Sequence, residues 1–223
     1  AQLQALTAAL AGARTVDEVA AVVVAEAVAA TRAATGMLAV RVPADAAADG
    51  APDEAVIVRH AGLPAGVVDR YARFSLDAPG PAARCLRTGE AQWAESRDVL
   101  LARFPDAAPT WDALRTHAVA TVPLAVAGPG GAPAVVGAMS YTWTAPRPLG
   151  PDDRAFFLAL GRQAAQAVER ARLLEAERAA RAEAERRGEE LAAAGRRARF
   201  LADLGQALQP LTDPDALMAA SAR

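Results

Sequence analysis

Gly150-Pro151-Asp152-Asp153-Arg154-Ala155-Phe156-Phe157-Leu158-Ala159-Leu160 opens the stretch around which the chain is organised. Proline at the first helical position lacks only an N–H that would be unpaired there, and the two carboxylates face the positive end of the helix dipole. No further proline occurs before Arg199, and only Gly161, Gly188 and Gly195 interrupt the run. Phe156, Phe157, Leu160, Ala164, Ala167, Val168, Ala171 and Leu174 recur at helical spacing, giving one apolar face. Beyond Leu174 that stripe fades into Glu/Arg alternation. A helix buried at its start and solvated further on is one that leaves a globular domain. The spacing predicts a connector helix over 150–199 that carries a signal out of a small domain.

Composition narrows the rest. A chain of 223 residues suits one domain with an extension. About a quarter of it is alanine and every basic residue is arginine, a bias of the kind GC-rich codons produce. The net charge of −2 gives no concentrated basic face, so nucleic acid is not an expected partner. A single cysteine, Cys85, excludes an internal disulfide and fits a reducing, cytoplasmic setting. No apolar run approaches the ~18 residues of a membrane span; Ala20–Ala30 comes nearest and contains Glu26. A first residue other than Met leads us to expect a piece of a longer polypeptide.

Working back to the start, Leu3, Leu6 and Leu10 sit at helical spacing, and Thr15-Val16-Asp17-Glu18 reads as a capping box. The helix it opens is expected to end near Gly36. Met37–Val42 and Ala55–His60 read as strands joined across a surface loop, Pro43–Asp53. The middle breaks into short helical pieces (64–74, 81–88, 96–103 and 110–115) between Pro and Gly interruptions, with Glu90–Ala94 as an edge strand. Ala118–Val126 and Ala134–Thr144 are strands joined by Gly128-Pro129-Gly130-Gly131. The order implies an α+β fold: an antiparallel sheet with the terminal helices on one face and irregular helical segments on the other.

With Cys85-Leu86-Arg87-Thr88-Gly89-Glu90, Trp93, Glu95-Ser96, Val122-Pro123-Leu124, Gly137-Ala138-Met139-Ser140-Tyr141 and Pro146-Arg147-Pro148-Leu149 in that order, the chain resembles the GAF family of sensory domains. The resemblance covers about residues 3–174 and is closest to GAF domains of multidomain bacterial signalling proteins. It implies a GAF/PAS-like sheet, a ligand cavity between sheet and irregular middle, and a parallel dimer through the terminal helices. Leu3, Leu6, Leu10, Leu160 and Leu174 are the expected dimer-helix residues. A histidine kinase is the implied parent, ahead of a serine phosphatase or a nucleotide cyclase. A purely structural dimerisation module is the alternative.

Catalysis is not expected in this stretch. His60 and His117 come without a nucleophile–base arrangement, and one Cys with two isolated His does not make a metal site. Among the family's cofactors, bilin attachment is not supported, because the bilin-bearing cysteine is typically followed by His and Cys85 is followed by Leu86. The Asn-Lys-Phe-Asp-Glu signature of cyclic-nucleotide binding is absent, since the chain has neither Asn nor Lys, and haem would rest on His117 alone. A methionine sulfoxide reductase of GAF type needs several reactive cysteines, which one Cys does not supply. There remains a small-molecule cavity of unknown ligand, with Tyr71, Phe74, Trp93, Trp111, Met139 and Tyr141 as candidate lining residues and Arg84, Glu95 and Thr121 as polar partners. Alternation places Met139, Tyr141 and Trp143 on one face of the last strand and Ala138, Ser140 and Thr142 on the other, without saying which faces the cavity.

Leu3, Leu6, Ala9, Leu10, Asp17 and Val19 align without gaps to Leu201, Leu204, Ala207, Leu208, Asp215 and Leu217. A fixed offset is how tandem domains announce themselves. The expected organisation is a GAF-like domain over 1–174, a helical linker over 175–199 and the start of a second such domain over 200–223.

Overall fold

The computed structural model describes residues 9–42 and 53–212. They form helices α1 (Val16–Thr31), α2 (Ala65–Tyr71), α3 (Pro81–Thr88), α4 (Arg97–Arg103), α5 (Ala108–Ala113) and α6 (Pro151–Thr212). The strands are β1 (Thr35–Arg41), β2 (Glu54–Ala61), β3 (Arg73–Ser75), β4 (Gln92–Ala94), β5 (Ala118–Ala127) and β6 (Pro133–Trp143). The chain divides into two compact units after Glu175.

In the first unit all six strands make one antiparallel sheet in the order β3-β2-β1-β6-β5-β4. Each face has its own core. On one, α1 and the first part of α6 bring Val19, Val23, Ala27, Phe157, Leu160 and Val168 onto Leu38, Val122, Met139 and Tyr141, all essentially without solvent exposure. Phe157 is the hub of this layer. Its ring lies 5.3 Å from Tyr141, 6.1 Å from Trp143 and 6.3 Å from Trp93. On the other face, the short middle helices close two smaller clusters, one around Phe74, Cys85, Leu86 and Ala138 and one around Leu100, Phe104, Trp111 and Val119. The expected α+β arrangement is therefore present: an antiparallel sheet, long helices on one face and irregular helical segments on the other.

The start of α6 is held by side chains from the sheet edge. Glu95 Oε1 accepts from Leu149 N at 3.2 Å and from Arg154 Nη2 at 2.9 Å, while Arg147 Nη2 donates to Asp153 Oδ1 at 2.9 Å. Further along, Arg170 Nη2 donates to Leu10 O at 2.6 Å, Arg172 Nη2 to Arg41 O at 2.8 Å, and Glu175 Oε1 accepts from Val16 N at 3.1 Å. These bonds fasten the helix along its length within the first unit. At Gly161 the helix comes so close to β5 that a Cβ would lie 2.9 Å from Pro123 O.

Several boundaries differ from the sequence expectation. Thr15 Oγ1 does accept from Glu18 N at 3.2 Å, but Glu18 Oε2 takes Arg14 N at 2.6 Å, so the reciprocal half of the capping box is shifted by one residue. That helix stops at Thr31 rather than near Gly36, because Arg32 adopts the left-handed conformation and caps it. Gly36 lies in β1 instead, where Tyr141 packs over it; an added Cβ would sit 3.0 Å from the ring and 2.7 Å from Val28 Cγ2. The helix expected over 64–74 ends at Tyr71, since Phe74 pairs with Ala55 as part of β3. The loop expected over Pro43–Asp53 lies, up to residue 52, outside the described residues, as do Leu3 and Leu6.

The described part of the second unit, residues 176–212, is helical. Its surface carries ion pairs one turn apart, Glu183 with Arg187 at 2.9 Å and Arg181 with Glu185 at 3.1 Å. Each such pair adds only ~0.2–0.5 kcal/mol to a helix. Leu191, Phe200, Leu201 and Leu204 are exposed. Asp215 and Leu217 of the internal repeat lie outside the described residues.

Candidate functional site

The sheet face away from the long helices carries a cavity of about 100 Å³. Its floor is β1 and β6, through Thr35, Met37, Ser140 and Thr142, with Ile57 of β2 beside them. Tyr71 of α2, Phe74 of β3, Ala82 of α3 and Trp111 of α5 help wall it.

Local sequence explains why these walls stand where they do. Proline or glycine marks the entry to each walling helix: Pro64 precedes α2, Gly80-Pro81 opens α3, and Pro105 and Pro109 bracket the entry to α5. None of α2 to α5 exceeds eight residues, so each can turn one side chain or two onto the sheet and then reverse. Trp111 is buried, and its indole N–H donates to Phe104 O at 3.3 Å, which leaves ring surface for the cavity.

The polar atoms of the cavity come in hydroxyl pairs. Thr35 Oγ1 and Thr142 Oγ1 are 2.8 Å apart across β1 and β6, and Tyr71 OH lies 2.8 Å from Thr110 Oγ1. Ser140 Oγ is 2.8 Å from Thr121 Oγ1 on β5. A hydroxyl pair shares one donated hydrogen and keeps a second donor and spare lone pairs. Among the described lining residues none is Asp, Glu, Arg or His, so the cavity carries no formal charge.

Of the six aromatic and Met candidates, Tyr71, Phe74 and Trp111 line this cavity. Met139 and Tyr141 belong to the opposite face. Strand alternation puts both with Trp143 under the long helices, where burial drives the Tyr141 phenol pKa strongly upward. Trp93 sits on that same face because its partner across the sheet is Ala120, and the Arg154 guanidinium lies 5.5 Å over its ring. Thr121 reaches the cavity floor only through Ser140. Glu95 is engaged at the start of α6, and Arg84 is exposed. Thr35, Thr110, Ser140 and Thr142 were not among the expected residues. Alternation groups Ser140 with Thr142, but the fold is needed to turn that pair toward the cavity.

The remaining chemistry-bearing residues lie elsewhere. Cys85 is buried in the cluster around Phe74, and desolvation pushes its thiol up to about 12. A thiol held protonated in this way is a poor nucleophile. His60 is exposed on β2, and His117 precedes β5, its backbone N–H donating to Trp143 O at 2.8 Å. Among the described residues no group of three or more His, Cys, Asp or Glu could hold a metal ion. None of the described helices is long and apolar enough to cross a membrane.

A family model for the GAF domain matches residues 13–169, which takes in the whole sheet, the cavity and most of the buried part of α6. The chain belongs to the GAF domain family. Among solved structures it is similar to the GAF domain of an Acinetobacter phosphoenolpyruvate-protein phosphotransferase, with 12% identity and a TM-score of 0.61 over 78% of this chain and 94% of that one. A free methionine-R-sulfoxide reductase from Neisseria meningitidis, solved with its substrate, matches with 16% identity and a TM-score of 0.57 over 77% and 88%. A domain of a putative two-component sensor histidine kinase protein from Sinorhizobium meliloti 1021 matches with 16% identity and a TM-score of 0.55 over 74% and 99%. At these identities the likeness speaks for the GAF fold alone. No curated protein matches the chain significantly.

Proposed function

We propose that this GAF domain is a non-catalytic sensory module of a bacterial signalling protein, with the cavity as its input and α6 as its output. One observation carries the proposal: the strand that floors the cavity also supports the output helix. Ser140 and Thr142 look into the cavity, while Met139, Tyr141 and Trp143, their immediate neighbours on β6, belong to the core built around Phe157 of α6. A ligand that shifts β6 by a fraction of an ångström shifts the seat of that helix. Close-packed cores pass on such displacements because they have no slack to absorb them. The readout is a rotation or register shift of the helix beyond Leu174, delivered through a linker over 175–199 to a following domain; the internal repeat favours a second GAF-like domain beginning at 200. A histidine kinase is the favoured parent, on the family resemblance, with a serine phosphatase or nucleotide cyclase next, and the cytoplasm the favoured location.

The homodimer implied by the resemblance is part of the same proposal, with a changed surface. Leu10 and Leu160 are buried in the protomer's own core, and Leu174 is half-buried. Leu158 and Leu173, at 38% and 64% exposure, are the leucines of α6 in the first unit free to meet a second copy. Native mass spectrometry of the purified chain tests the input: a small-molecule adduct lost in Ala82→Leu, which fills the cavity, supports sensing. A clean apo mass, with no small molecule changing the melting temperature, supports a structural dimerisation module instead.

A further inference from the structure

Three features of the cavity together define what it will accept: its size, its lack of charge and its paired hydroxyls. We propose that its ligand is a small uncharged organic molecule of about phenol size, with an apolar body and one hydroxyl or carbonyl oxygen. This rests on the reading of the cavity as the sensory input.

Size comes first. At about 100 Å³ the cavity is of the same order as an engineered apolar cavity of ~150 Å³ that takes up benzene. Sites for drug-sized ligands run to roughly 300–1,000 Å³. A single ring or a short branched chain fills this space.

Charge decides next. An ionised group taken out of water needs a partner of opposite charge or a dense set of hydrogen bonds. The described lining residues include neither a carboxylate nor a guanidinium. The feature that would favour an anion is the first turn of α3, which lines the wall without a side-chain cap. That helix has eight residues and begins with a proline, and its two arginines, Arg84 and Arg87, are exposed and do not line the cavity.

The hydroxyls supply the polar end. Thr35 with Thr142, and Tyr71 with Thr110, satisfy one another within the protein, so neither pair imposes a penalty. Each pair still has one O–H to donate to an incoming oxygen. Tyr71, Phe74 and Trp111 give the apolar body three ring surfaces.

The test uses the full chain and four probes: phenol, benzene, benzoate and benzylamine. Affinities come from protein-observed NMR, with far-UV spectra confirming that each variant is folded. Phenol is expected to bind at least tenfold more tightly than either charged probe, and Ala82→Leu to abolish binding. Removing both hydroxyls of one pair, Thr35→Val with Thr142→Val, is expected to weaken phenol several-fold and leave benzene unchanged; this second variant keeps the test decisive if Ala82→Leu does not fold. If benzoate or benzylamine binds in the cavity as tightly as phenol, the uncharged class is overturned while the sensing reading stands. If no probe perturbs the cavity residues in the folded protein, the sensing reading itself fails. Phenol binding that ignores both variants places the molecule elsewhere and also overturns the proposal.

Discussion

Replacing Gly161 by alanine sets two calculable effects against each other on one helix. In a helix interior, glycine is about 1 kcal/mol worse than alanine, so propensity alone makes Gly161→Ala stabilising. The new methyl, however, would stand 2.9 Å from Pro123 O, with Val122 Cγ2 at 3.5 Å and Met139 Cε at 3.9 Å. Carbon–oxygen contacts normally settle at roughly 3.3–3.6 Å. The oxygen belongs to the backbone of β5 and cannot swing aside, so the helix must lift. Overpacking of this kind costs about 1–3 kcal/mol, and the expected net effect is a destabilisation of about 1 kcal/mol. Gly188 is the internal control, because a Cβ there meets nothing within 4 Å. Gly188→Ala should strengthen the same helix by up to about 1 kcal/mol. Urea unfolding followed by tryptophan fluorescence reads the first variant, and thermal loss of far-UV helical signal reads the second. A Gly161→Ala protein more stable than the parent would refute the close seating of α6 on the sheet.

Further predictions come from Cys85 and from the leucines of α6. Cys85 is fully buried, and desolvation raises its thiol from an ordinary 9.0 to about 12. Its contribution to stability is therefore intact below pH 9 and declines as pH rises from 9 toward 12, because the unfolded thiol ionises first. Between pH 8 and pH 10 the parent should lose about 1.4 kcal/mol more than Cys85→Ala does, measured by urea unfolding at each pH; equal losses would mean that the thiol is not desolvated. Leu160→Asp should unfold the first unit, since it places a carboxylate in the core, whereas Leu173→Asp should leave the melting temperature within a degree or two. If light scattering shows a dimer in the parent, Leu173→Asp should weaken it, and an unaltered dimer would remove this face of α6 from the interface.

Much of the architecture was legible in the sequence because it rests on local signals. Pro151, Asp152 and Asp153 mark the start of α6, the Gly128–Gly131 connection marks the β5–β6 hairpin, and Thr15 caps α1. What was less legible depends on contacts distant in sequence. Gly36 resembles a helix terminator until Tyr141 is seen packing over it. Phe74 extends a helical run until Ala55 pairs with it. The candidate site suffered from the same limit. Alternation separates Met139 and Tyr141 from Ser140 and Thr142, yet only the docking of Phe157 decides which set faces the helices. Aromatic residue type therefore does not separate the two faces, and the hydroxyls of the cavity floor, ordinary one at a time, are set apart by their pairing across strands.

Amide hydrogen exchange with and without saturating phenol tests the central claim most directly: that filling the cavity is felt by α6. The account predicts altered protection across Met139–Trp143 and along residues 151–168, in addition to the cavity walls. If phenol binds in the cavity and changes exchange in its walls alone, leaving residues 151–168 untouched, the cavity is not the input to this helix.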